Sequence, residues 1–107
     1  MTTPLRLQTD ERSDGTMVLT AVGELDLSNI AEFSDAIAAA VRAGTGGRPV
    51  RVDLSDVDYL DSGAISVLFT HAEAIDVVAN PILMSVLTHS GLVKVTSVTP
   101  AEKDSAR

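Results

Sequence analysis

The run VDLSDVDYLDSGAISVLF, residues 52–69, constrains this chain more than any other stretch. Its start continues the alternation of VRVDL at 50–54, in which apolar residues occupy every second position as in a strand with one buried face. From Ser62 to about Glu73 the spacing changes. Ile65, Leu68, Phe69 and Ala72 fall on one side of a helix, and Ala64 and Val67 widen that stripe. Between strand and helix lie Asp56, Asp58 and Asp61, read here as an acidic turn. A strand feeding directly into an apolar helix is the building unit of an α/β domain.

The rest of the chain extends that unit. LRLQTDE at 5–11 and TMVLTAVG at 16–23 read as two strands joined by the turn residues Ser13-Asp14-Gly15, a hairpin. Leu27 to Ala43 reads as a helix with Ser28 or Asn29 as its N-cap and Ile30, Phe33, Ile37 and Val41 as its buried stripe. GTGG at 44–47 stops it; no lysine and hydroxyl pair follows, so it is a connection and not a phosphate loop. AIDVVA at 74–79 is a strand, Pro81 starts a helix reaching about His89, and Gly91 ends it. VKVTSV at 93–98 is the last strand, and 99–107 is expected to be a loose tail. The whole, residues 1–107, is then one α/β domain. Its sheet is mixed and mostly parallel, with about four to five strands packed against about three helices through right-handed crossovers.

Charge narrows the partners. The formal net charge is -7, so phosphate backbones and anionic membrane surfaces are repelled, and no basic patch interleaved with aromatics offers a stacking platform. Neither nucleic acid nor membrane is an expected partner. The first residues lack a signal-peptide core, no run approaches membrane-spanning length, and there is no cysteine. A cytoplasmic location is the expectation.

Three segments in order, GELDLSNIAEF (23–33), RVDLSDVDYLDSGAISVLF (51–69) and SVLTHSGLVKV (85–95), resemble the STAS domain, and more narrowly the anti-sigma factor antagonists of bacteria. The resemblance implies a protein that binds an anti-sigma factor of the histidine-kinase-like ATPase type and so releases a sigma factor. That partner, acting as a serine kinase, would end the interaction by phosphorylating the serine that follows the aspartate at the start of the second helix, and a serine phosphatase would reset it. Carried onto this chain, the phosphoacceptor is Ser62, with Asp26, Asp58, Asp61, Ser62 and Gly63 contacting the partner. Three departures stand out. Gly63 and Ala64 follow Ser62 where the family has a second hydroxyl residue and then glycine. The span from Asp61 to Pro81 is shorter than the family pattern, which puts the 74–79 strand out of place. The C-terminal helix of the family has almost no counterpart.

The chemistry at Ser62 stands beside the resemblance. A helix mouth has unsatisfied N–H groups and the positive end of a dipole, and tolerates an anion. A phosphoryl group there adds roughly -1.5 to -2 charges next to Asp58 and Asp61, and a docking surface that must shed water would then bury an uncompensated charge. On the residues alone Ser62 reads first as an N-cap, a job Asp61 can do one position earlier. Asp26 either contacts the partner or favours the start of the first helix.

No catalytic residue, metal site or cofactor is expected. Asp56 and Asp58 read as turn residues, His71 and His89 have no ligand spacing around them, and no nucleophilic triad is visible. The alternative function is a STAS interaction or scaffold module without phosphorylation control.

Overall fold

In the computed structural model, which describes residues 4–44 and 47–102, the chain begins with the expected hairpin. Strand β1 (Arg6–Glu11) pairs antiparallel with β2 (Met17–Leu25), and between them Thr16 N–H donates to the Asp14 carboxylate at 2.9 Å. Hydrogen bonds from Thr16, its amide first, hold that carboxyl below its usual range. Helix α1 (Ile30–Ala43) leads into β3 (Val50–Leu60), and α2 (Ser62–Thr70) with a 3-10 turn at Ala72–Ala74 leads into β4 (Ile75–Ala79). A second 3-10 turn at Pro81–Leu83 runs straight into α3 (Met84–His89), and β5 (Ser97–Pro100) closes the sheet.

The sheet order is β1-β2-β3-β4-β5, and from β2 onward every neighbour is parallel. Parallel strands laid down in sequence order, linked by right-handed crossovers, bring all the helices to one face. The burial pattern agrees. Leu19, Ala21 and Leu25 of β2, Val52 and Leu54 of β3 and Val77 and Ala79 of β4 form a single core with Phe33, Ile37, Leu68 and Leu87 from the helices. The alternate residues Thr20, Val22, Arg51, Asp53, Asp76 and Val78 are only half-buried, as one uncovered sheet face requires.

Several local expectations are corrected. The acidic turn is not a turn: β3 continues through it to Leu60. Two register shifts each give β3 an extra residue, one between Asp53 and Asp56 opposite Thr20–Val22 and one between Val57 and Tyr59 opposite Gly23–Glu24. Each bulge moves the next buried position from two residues on to three, so Leu54, Val57 and Leu60 face the core while Asp56, Asp58 and Tyr59 reach solvent. In α1 the buried stripe passes through Phe33, Ile37 and Ala40, because Val41 lies at its margin and stays exposed. Helix α2 ends at Thr70, not Glu73.

The last strand starts later than the alternation of Val93 and Val95 predicts. Gly91 takes φ 89, a left-handed conformation that costs glycine little, and a 3-10 turn over Leu92–Lys94 follows. Burying Leu92 in the core decides the local path, and it leaves Val93 and Val95 outside. Thr96 Oγ1 then donates to Ile75 O at 2.6 Å, and the chain pairs with β4 only from Ser97. Thr99 and Pro100, expected in a loose tail, belong to β5, and Ala101 N–H donates to Ala79 O at 2.7 Å. Residues 103–107 of that tail, and residues 45 and 46 of the glycine-rich connection, lie outside the described residues. The strand at 74–79 is in place despite the short span before it: all five residues of β4 pair with β3 from Val50 to Leu54.

Candidate functional site

Because β2, β3 and β4 run parallel, the loops leaving them emerge at one end of the sheet, where open α/β sheets carry their sites. Leu25 and Leu60 are register partners, so Asp26 and Asp61 are the first residues past two adjacent strands. Asp61 N–H donates to Leu25 O at 3.1 Å and latches the two exits together.

Asp61 is the N-cap of α2. Its backbone is extended, and its Oδ1 accepts the Ala64 N–H at 3.0 Å, which satisfies one of the open donors of the first turn. Ser62 is therefore the first helical residue and not the cap. It is exposed, and among the described residues its hydroxyl has no hydrogen-bond partner. Both readings of the Asp-Ser pair were open in the sequence; the capping falls to the aspartate, and the serine is left facing water.

Gly63 packs against the start of α1. A Cβ at this position would lie 3.0 Å from Ile30 Cδ1, 3.3 Å from Asp61 Oδ1 and 3.8 Å from Leu27 Cδ2. The residue beside Ser62 thus borders both the cap and the loop that carries Asp26 and Leu27. A larger side chain would have to displace one of them.

Asp26 is committed locally. One carboxylate oxygen accepts Ser28 N–H at 2.9 Å and the Ser28 hydroxyl at 2.5 Å. The Asn29 side chain does not cap α1, as the sequence suggested, but turns back. Its Oδ1 accepts Asp26 N–H at 3.0 Å and its Nδ2 donates to Glu24 O at 2.9 Å. Asp26 accordingly orders its own loop. Asp58, an expected contact, is exposed at the second bulge of β3.

At the end of β4, Asn80 does comparable work. Its N–H donates to Leu54 O, its Nδ2 to Val57 O and its Oδ1 accepts Ile82 N–H, each at 3.2 Å. Pairing of β3 with β4 ends at Leu54 and Ala79, and Asn80 supplies donors to β3 carbonyls at and beyond that point. Neither this role nor that of Asn29 was anticipated; asparagine at a strand exit signals a turn, not which carbonyl it will meet.

Elsewhere the chemistry is sparse. His71 is half-buried with Nε2 3.5 Å from Ser34 Oγ, and His89 Nδ1 lies 2.8 Å from Ser85 O within its own helix. His71 follows the far end of α2 from Ser62, and among the described residues neither histidine bonds to Ser62. Among the described residues no three His, Cys, Asp or Glu side chains gather as metal ligands would, and no helix is long and apolar enough to cross a membrane.

Comparison with known proteins places this arrangement. The crystal structure of an anti-sigma factor antagonist from Mycobacterium paratuberculosis superposes with a TM-score of 0.81 at 25% identity, covering 97% of this chain and 94% of that one. The anti-sigma factor antagonist SpoIIAA in its unphosphorylated form gives a TM-score of 0.70 at 17% identity, over 94% of this chain and 92% of that one. The Bacillus cell fate determinant SpoIIAA in the phosphorylated form gives 0.65 at 17%, over 94% and 96%. No curated protein sequence matches significantly. The family model described as "Mlab, STAS domain" matches residues 9–96, from within β1 to the turn before β5, and with most of its length matched the chain belongs to the STAS domain family.

Proposed function

We propose that this protein is an anti-sigma factor antagonist: it binds an anti-sigma factor, frees a sigma factor, and is released when Ser62 is phosphorylated. The observation that carries the reading is the division of labour at the mouth of α2, where Asp61 caps the helix and leaves the Ser62 hydroxyl exposed and unbonded among the described residues. A kinase can therefore reach the hydroxyl without dismantling the fold. The likeness to an anti-sigma factor antagonist over nearly the whole chain supports the same role.

The partner would be an anti-sigma factor of the histidine-kinase-like ATPase type. In the transfer, Ser62 Oγ bonds to the γ-phosphorus of ATP, the bond to the β-phosphate oxygen breaks, ADP leaves, and the hydroxyl proton passes to a base on the kinase or to water. A serine phosphatase reverses the modification by hydrolysis. The phosphate acts on docking rather than on the fold. It places a dianion beside Asp61 on a surface that must lose water, and an uncompensated buried charge costs several kcal/mol, with each ~1.4 kcal/mol a tenfold loss of affinity. The role requires no catalytic group of this chain, and its place of action would be the cytoplasm, where sigma factors work.

The test uses the purified anti-sigma ATPase of the source organism. With ATP, mass spectrometry should find phosphate on residue 62. Ser62→Ala should bind as wild type and resist release by ATP, and Ser62→Glu should bind at least about tenfold more weakly. Equal binding by Ser62→Glu overturns the switch. Binding without any phosphate on Ser62 favours the other reading, a STAS interaction module free of phosphorylation control, which the Gly63-Ala64 departure suits.

A further inference from the structure

Leu27 stands out among the exposed aliphatic residues. It is 80% exposed, the highest value among the exposed large hydrophobic residues described, yet it stands in a tightly held loop. The Asp26 carboxylate binds the Ser28 amide and hydroxyl, the Asp26 carbonyl accepts both Asn29 N–H and Ile30 N–H at 3.0 Å, and the Asn29 side chain ties the loop back to Glu24. An apolar side chain presented on a pre-ordered loop loses little conformational freedom on docking.

Other exposed apolar residues stand at the same end of the sheet. Leu27 Cδ2 borders Gly63, the residue after Ser62. Tyr59, 49% exposed, is the penultimate residue of the adjacent strand, and Ile82, 67% exposed, follows the next one. Strand spacing puts the Leu27 and Ile82 loops about 10 Å apart, two strand widths across one end of the sheet. Every charged residue in the segments forming this end, 24–35, 56–70 and 79–86, is acidic.

We propose that Leu27 is the anchor of the docking surface and that its occupant is a protein offering an apolar pocket rimmed by Lys and Arg. This rests on reading the end around Ser62 as the docking surface. The acidic surround excludes the alternatives: a second copy presenting the same end would oppose like charges, and nucleic acid or an anionic bilayer would be repelled. The placement also explains why a basic partner is released by a phosphate rather than held by it. Ser62 precedes Gly63, which borders Leu27, so the dianion falls beside the apolar contact, on surface that must lose water.

The experiment measures binding of the purified anti-sigma ATPase to Leu27→Ser, which keeps every hydrogen bond of the loop and adds no charge. Val41→Ser, on an exposed part of α1 toward the opposite end, is the control. Leu27→Ser should lose at least about tenfold in affinity with an unchanged melting temperature, Val41→Ser should bind as wild type, and association should slow as salt rises about tenfold. If Leu27→Ser binds as wild type while Ser62→Glu is still released, the anchor is overturned and the switch stands. If both bind as wild type, or the wild type does not bind, both fall. Association indifferent to salt overturns the basic rim.

Discussion

Asp61 donates its amide to the carbonyl of Leu25 at 3.1 Å, so the residue that caps α2 is also the residue that latches β3 to β2. The exposed Ser62 is thereby held at a fixed place between two strand exits by a neighbour and not by its own side chain. That separation makes the stability of the two positions distinguishable.

Asp61→Ala should destabilise the domain by about 1 kcal/mol through loss of the cap, whereas Ser62→Ala should change it by less than about 0.5 kcal/mol, as an exposed substitution does. Urea denaturation of both variants checks this. A larger loss for Ser62→Ala than for Asp61→Ala would mean that serine, not aspartate, holds the helix mouth in solution.

The loop after β2 depends on one side chain. Asn29→Ala removes the acceptor for Asp26 N–H and the donor to Glu24 O, both in partly buried surroundings. The expected cost is about 1–3 kcal/mol, set by the backbone groups left unpaired. Partner binding should weaken as well, because Leu27 would then ride on a loop that has to be ordered at docking. Thermal unfolding and a binding titration read the two effects separately; full affinity with reduced stability would show that loop order contributes nothing to docking.

The distance between what was legible and what was not follows the range of the interactions involved. The hairpin, the strand-helix alternation and the Asp-Ser mouth of α2 rest on period and turn chemistry within a few residues, and each is where the sequence puts it. The bulges in β3 were read as an acidic turn, because Asp56 and Asp58 carry turn-like chemistry and only pairing with β2 keeps them in a strand. Val93 and Val95 alternate like a strand but are set outside by the burial of Leu92, a tertiary choice. The motif puts Ser62 at the mouth of α2, and there it stands. The role of Asn80 is not legible, since it depends on which carbonyl of β3 lies opposite, and Asn29 reads as a cap although its side chain turns back to Asp26 and Glu24.

Gly23 has a backbone requirement that its place in GELD only hints at. Its φ is 118, and a Cβ would lie 2.6 Å from Pro4 O, so both conformation and space exclude a side chain. Gly23→Ala should cost about 2 kcal/mol or more, from strain at the residue and displacement of the segment before β1. Because β1 would be pushed off the end of β2, hydrogen exchange should quicken first at Arg6–Gln8. Unchanged stability would mean that the approach of Pro4 to Gly23 is not maintained in solution.

Asn80 supplies the last prediction. Its Nδ2 donates to Val57 O between the two bulges, while its Oδ1 accepts the Ile82 N–H. Asn80→Ala loses both and should cost about 1–3 kcal/mol. Asn80→Asp separates them. A carboxylate still accepts from Ile82 but cannot donate, and it turns a negative oxygen toward the Val57 carbonyl, so this variant should be no more stable than Asn80→Ala at neutral pH. Protonation restores a donor, so the charged form is the disfavoured one and the deficit relative to wild type should shrink as pH falls through the carboxyl titration. Denaturation curves of wild type and both variants at neutral and acidic pH test this. A deficit that grew on acidification would mean that the Asn80 donor does not hold the bulged strand.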